Sequence, residues 1–210
     1  MTIGFTPAAI AFYEALESDN SRDWWLAHKA EWEREVREPM AELTDALAEE
    51  FGEAKLFRPN RDVRFSLDKS PYKTHQGAFV SAQQGIGFYV EISADGLRTG
   101  GGFRAHSGGQ TQRMRRAIDA DHTGGELISL LESLRASGYE VVSDHVRTTP
   151  KGYRADHPRI EALRFKDLML ITAHGAPAWL GTERVLDAVA TSWRQVRPLV
   201  EWATAHVGRP

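Results

Sequence analysis

The chain has 210 residues, a length that allows one large domain or two small ones, and no cysteine. Disulfides, iron–sulfur clusters, thiol nucleophiles and thiol-based redox sensing are therefore excluded. Hydrophobic residues make up 41% and charged residues 26%, as in ordinary globular proteins, and 26 basic against 29 acidic residues leave a formal net charge of -3. No global field draws the chain toward nucleic acid or an anionic membrane, so an anion site, if present, must be local.

The first residues, Met1 to Pro7, carry neither the basic region nor the apolar stretch of a secretory signal, and no apolar run of about 18 residues occurs. A cytoplasmic location and no membrane partner are the expectation.

Thr6 ahead of Pro7 predicts an N-cap and a helix over 7–16, with Phe5 placed to staple onto Ile10. Asp19, Asn20 and Ser21 supply the next cap. Trp25, His28, Trp32, Val36, Met40, Leu43, Leu47 and Phe51 then recur at spacings of three and four, the signature of a long amphipathic helix. His28 lies on its apolar stripe and reads as a core or rim residue. Pro39 cannot donate to the carbonyl of Glu35, so a kink or restart is expected there, and Gly52 ends the helix.

Beyond Gly52 the texture becomes strand-like. Residues 77–82, 85–93 and 97–103 read as an antiparallel meander, with Phe88, Val90 and Ile92 on one face and a hairpin turn at Asp95-Gly96. Its apolar face is expected against the helix around residues 32–47 or the one around 186–200. Met114 and Ile118 mark a further helix. Thr123 and Glu126 form a capping-box pattern ahead of Leu127, Leu130, Leu131 and Leu134. Strands are expected at 139–142 and 168–172, and His157 reads as a cap or turn before a helical segment near Ile160. Leu186, Val189, Trp193, Val196, Val200 and Ala203 predict a last helix, kinked at Pro198. Without an internal repeat or a linker, residues 1–210 read as one α+β domain.

Chemistry concentrates in residues 58–75. From Lys55 to Lys73 six basic residues face two acidic ones, inside a chain that is acidic overall. Arg58, Arg61, Arg64 and Lys73 are the anion-binding candidates, because a guanidinium forks onto phosphate or carboxylate and an ammonium adds a mobile point charge. Lys69 or Tyr72 is the candidate proton carrier, with Asp62 or Asp68 to orient it. Lys151, in a Pro150-Lys151-Gly152-Tyr153 turn pattern, and Arg154 are candidate additions to the anion site. Gly100, Gly101 and Gly102 either let a ligand approach the backbone or allow close packing, and packing is favoured.

Two functional readings survive. One is an enzyme acting on a phosphorylated or carboxylated small molecule; the other is a non-catalytic module binding nucleic acid or an acidic partner, for which the few basic residues are poorly extended. Equally, Asp62 and Asp68 can pair with Arg61, Arg64 or Lys69 and simply pin an irregular connection. No cofactor is expected. The eight histidines show no metal-binding spacing, two carboxylates in a basic setting argue only weakly for magnesium, and neither a P-loop nor a dinucleotide fingerprint occurs. Ser66-Leu67-Asp68-Lys69 matches the Ser-x-x-Lys pattern of penicillin-binding proteins, but Pro71 follows at once and companion motifs are missing.

The string Arg61-Asp62-Val63-Arg64-Phe65 through Asp68-Lys69 and Pro71-Tyr72-Lys73-Thr74 resembles the signature of the domain of unknown function 2461 family, a bacterial and fungal group. Asp19-Asn20-Ser21-Arg22 with Trp24-Trp25, Gly100-Gly101-Gly102, and Pro150 to Tyr153 with Asp156-His157-Pro158 resemble its other elements, in the same order. After the glycines this chain has Phe103-Arg104-Ala105-His106, where the family commonly has a proline-containing loop. The resemblance implies kinship of fold and candidate positions, and leaves the chemistry to the residues.

Overall fold

A computed structural model describes residues 3–64 and 68–208. The fold is α+β, with helices at both ends of the chain around a six-stranded antiparallel sheet. Helix α1 runs Pro7–Ser18 and α2 Arg22–Trp32, then a π-helical turn, Glu33–Arg37, leads into α3, Glu38–Ala46, and α4, Ala48–Phe51. The strands are β1 Ala54–Leu56, β2 His75–Gln83, β3 Ile86–Ser93 and β4 Gly96–Phe103. There follow α5 Gly108–Asp119, α6 Asp121–Ala136, β5 Glu140–Val142, α7 Ile160–Leu163, β6 Leu168–Gly175 and α8 Arg184–His206. Across the sheet the order is β1-β2-β3-β4-β6-β5.

The expected meander is present as β2, β3 and β4. Its second turn falls at residues 94–95, one position before the expected Asp95-Gly96. Gly96 instead opens β4 with φ +94°, and a Cβ there would lie 2.1 Å from the Gly175 carbonyl carbon.

The helical stretch restarts at Pro39, as expected, and Pro198 falls within a helix. The irregularity caused by Pro39 is absorbed before it as the π-turn, in which Glu38 N–H bonds to Glu33 O instead of the helical i−4 carbonyl. Pro198 lies inside α8, which stays helical from Arg184 to His206. The Thr123 capping box does not form. Helix α6 already starts at Asp121, one residue after α5 ends, and the Thr123 hydroxyl donates back to Ala117 O at 2.5 Å.

Contacts resolve the chain into two compact units, each assembled from three segments: residues 1–80, 89–99 and 173–191, and residues 81–88, 100–172 and 192–210. The chain passes from one to the other repeatedly, so no linker in the sequence marks them. In the first unit Phe12, Tyr13, Trp25, Trp32, Val36 and Met40 are buried, with Phe12 ring contacts to Tyr13, Trp24 and Trp25 at 5.3–6.0 Å. In the second, Phe88 stacks on Trp193 at 5.6 Å, and Met114, Ile118, Leu131 and Val196 are buried. Each such fully buried side chain contributes roughly 1.5–3 kcal/mol.

The loop that departs from the family pattern is tied by buried Gln110. Its side chain accepts His106 N–H at 2.9 Å and donates to Gln84 O at 2.8 Å, while Arg104 N–H donates to Gly85 O at 2.7 Å.

Candidate anion site

Residues 59–61 and 71–73 lie alongside each other as a short antiparallel ribbon. Arg61 N–H donates to Pro71 O at 2.9 Å and Lys73 N–H to Pro59 O at 2.8 Å, with Asn60 bridged to Tyr72. Pro59 and Pro71 can only accept, which limits the ribbon's length. Asn20, from the turn before α2, clamps it: the side-chain amide donates to Tyr72 O at 3.0 Å and accepts Tyr72 N–H at 3.1 Å. The Tyr72 ring is buried and stacks on Trp25 with centroids 4.3 Å apart. Tyr72 is thereby an anchor built into the core.

On the ribbon's outer side, charges pair locally. Arg64 forks onto Asp62 with Nε–Oδ1 2.9 Å and Nη2–Oδ2 2.6 Å, holding the Asp62 carboxyl down at about 2. Asp68 accepts the Ser70 N–H at 2.8 Å and hydroxyl at 2.6 Å, and Arg61 Nη1 also reaches it. Those Ser70 bonds first, and Arg61 second, bring its carboxyl to about 2. Lys69 Nζ donates to Val63 O at 2.9 Å. Asp62 and Arg64 thus satisfy each other, Lys69 binds the loop backbone, and Asp68 is held by Ser70 and Arg61. Ser66 lies outside the described residues.

Toward the sheet the picture changes. Lys73 Nζ donates to Arg58 O at 2.9 Å and sits 5.3 Å from the centre of the Phe57 ring; partial burial, then the charge of Arg58, lowers its pKa. The next residue but one is His75, the first of β2, and it meets a cluster the sequence reading passed over. Glu91 of β3 is 8% exposed. It accepts the Tyr89 hydroxyl at 2.5 Å and Arg98 Nη1 at 3.0 Å, and its Oε2 lies 4.0 Å from His75 Nε2.

The electrostatics of His75 follow from that position. Burial lowers its pKa, Glu91 opposes the shift, and Lys73, Arg61 and Arg98 add to it. The neutral imidazole is therefore favoured over the imidazolium, while Lys73, Arg61 and Arg98 act on it. His75, Arg98 and Arg61 keep 36%, 38% and 33% of their side-chain surface, so a solvent-borne molecule can reach them. A buried carboxylate anchors this group, and its exposed rim is positive.

Not every candidate converges here. Lys151 stands exposed on the turn after Pro150, where Tyr153 N–H bonds to Pro150 O at 3.2 Å, and it belongs to the second unit. Arg154 belongs there too, forked onto Asp156. Gly100, Gly101 and Gly102 are buried within β4. A Cβ on Gly100 would lie 1.9 Å from Leu170 O, and one on Gly102 would lie 2.2 Å from Leu168 O. Gly100 and Gly102 thus admit the backbone of β6, whereas a Cβ on Gly101 would lie 2.9 Å from Gly87 O of β3. Among the described residues, no group of three or more His, Asp or Glu is placed to hold a metal ion, and no helix is long and apolar enough to cross a membrane.

Across these elements, from α1 to α8, the chain fits one family model: that of a conserved hypothetical protein (DUF2461), over residues 8–202. The chain belongs to the DUF2461 family. No curated protein and no solved structure matches it. The span matched to DUF2461 includes the ribbon and its Asn20 clamp as well as His75, Tyr89, Glu91 and Arg98. The last three follow no recognisable local motif; only the alternation of β3 and the turn into β4 bring them together.

Proposed function

We propose that the Glu91-centred cluster binds a phosphorylated or carboxylated small molecule and exchanges a proton with it through His75. The observation that carries this reading is the place of His75, a part-exposed imidazole 4.0 Å from the buried Glu91 carboxylate, with burial and the charges of Lys73, Arg61 and Arg98 all disfavouring its charged form. Arg98 presents the guanidinium edge that Glu91 does not use, and Arg61 and Lys73 add charge from the ribbon. Glu91 orients Arg98 and Tyr89 and limits the site's net positive charge. In this reading Arg64, Lys69, Asp62 and Asp68 hold the ribbon in shape.

The test is calorimetric titration with inorganic phosphate, a sugar phosphate, a dicarboxylate and a short oligonucleotide. A small anion is expected to bind the parent protein. Arg98→Lys, which keeps the charge and loses the fork, should weaken it about thirtyfold, equivalent to about 2 kcal/mol. Arg64→Lys should leave affinity within about twofold, as expected when a rim charge already has its partner. Equal losses at both positions, or tight binding of the oligonucleotide alone, would transfer the function to the exposed face of the ribbon.

A further inference from the structure

The second unit contains a cavity of about 390 Å³, walled by Asp119 at the end of α5, by residues 152–154 and by residues 156–158. They include Gly152-Tyr153 and Asp156-His157-Pro158, parts of sequence patterns for which the anion site has no use.

Its polar walls are linked by hydrogen bonds and ion pairs. His157 Nδ1 accepts Arg159 N–H at 3.0 Å, so the ring proton resides on Nε2, 3.2 Å from Asp119 Oδ1. Arg159, only 14% exposed at its side chain, fixes the backbone of Asp119 from behind: Nη2 donates to Asp119 O and Nε to Ile118 O, both at 2.7 Å. Arg154 forks onto Asp156 at 2.8 and 2.6 Å. Tyr153 is half-buried beside them, its pKa raised by burial and then by Asp119.

Two features select the ligand. First, Asp119 faces His157 and Arg154 faces Asp156, so carboxylates and a guanidinium share one lining and neither sign of charge stands alone to draw a charged guest. Second, these pairs still have capacity: a carboxylate offers about four lone-pair sites and a guanidinium five N–H groups, and Asp119 and Arg154 use fewer than half of theirs on His157 and Asp156. Acceptors and donors therefore stand side by side, which suits hydroxyl groups, because a hydroxyl donates and accepts at once. The Tyr153 ring and Pro158 add apolar surface for the C–H face of a saturated ring. The volume is at the small end of ligand pockets.

From this we infer that the cavity is a binding site for a neutral, hydroxyl-rich small molecule of monosaccharide size. Asp119 and Asp156 accept from its hydroxyls, Arg154 donates to them, and Tyr153 stacks on the ring. The site is independent of the anion-binding cluster, from which it shares no residue.

Calorimetric titration of the full chain with glucose, galactose, mannose and ribose tests it, with glucose 6-phosphate and spermidine as charged comparisons. At least one neutral sugar should bind saturably. Asp119→Asn and Tyr153→Ala should each weaken it about tenfold or more. Spectra of both variants should match the parent, and chemical-shift changes on sugar addition should centre on residues 152–158, a readout that does not depend on the variants folding. Failure of every neutral sugar to bind, binding unaffected by both substitutions, or stronger binding of spermidine or the sugar phosphate at these residues would overturn the proposal.

Discussion

Gly100→Ala should destabilise the protein by on the order of 3 kcal/mol, a fall in melting temperature of roughly 6–12 °C. The reason is steric: the added Cβ would lie 1.9 Å from Leu170 O and 2.8 Å from Ile171 Cδ1, so β4 and β6 would have to separate. The obstacle is backbone, which cannot rotate away. Gly125→Ala serves as the counterpart, since this exposed residue lies within α6 and a Cβ there meets nothing within 4 Å. Removing glycine's excess backbone freedom from a helix should raise stability by about 0.5–1 kcal/mol. Thermal melts of both variants give opposite signs if the glycine run serves packing. A Gly100→Ala protein that melts with the parent but loses a ligand would assign the run to ligand approach instead.

Asn20→Ala should have the next largest effect, about 2 kcal/mol or roughly 4–8 °C in melting temperature. One side chain satisfies both the N–H and the carbonyl of Tyr72, whose buried surroundings offer no ready replacement. Asn20→Asp should not rescue it, because a carboxylate accepts the Tyr72 N–H but has no donor for the Tyr72 carbonyl. As Tyr72 anchors the ribbon bearing Arg61 and Lys73, anion affinity should fall with stability although Asn20 is no ligand. Melts of Asn20→Ala that coincide with the parent would show that stacking of Tyr72 on Trp25 suffices.

What could be read from the sequence was periodic. The 3.6-residue stripe from Trp25 to Phe51 and the alternation of Phe88, Val90 and Ile92 report burial on one face, and both appear as elements of the fold. The site was half legible. Charge density drew attention to residues 58–75, but sequence cannot show which charges cancel, and Arg64 with Asp62 and Lys69 with Val63 turn out to be satisfied within the loop. Glu91 was missed for two physical reasons. Its face of β3 carries Tyr89 and Ser93, so alternation assigns it to solvent, although it is buried with Tyr89, Arg98 and His75 as its partners. A turn centred on Asp95-Gly96 also places Glu91 opposite Gly100, whereas the turn at 94–95 places it opposite Arg98, so one residue of register concealed the pair. The boundaries of the two units were invisible because the chain crosses between them within single strands.

The central claim is that His75 is an uncharged base in an anion site, and its own titration tests that most directly. NMR of the imidazole, assigned by the resonance lost in His75→Gln, should give a midpoint below the ordinary 6.5 in the free protein. Because the folded state disfavours the imidazolium, the associated stability is complete above pH 6.5 and declines as the pH falls toward the folded midpoint. Saturating inorganic phosphate should raise the midpoint, since a bound anion favours the charged ring, and by linkage phosphate should bind more tightly as the pH falls through this range. A His75 midpoint that phosphate leaves unmoved, or one already above 6.5 in its absence, would contradict the account.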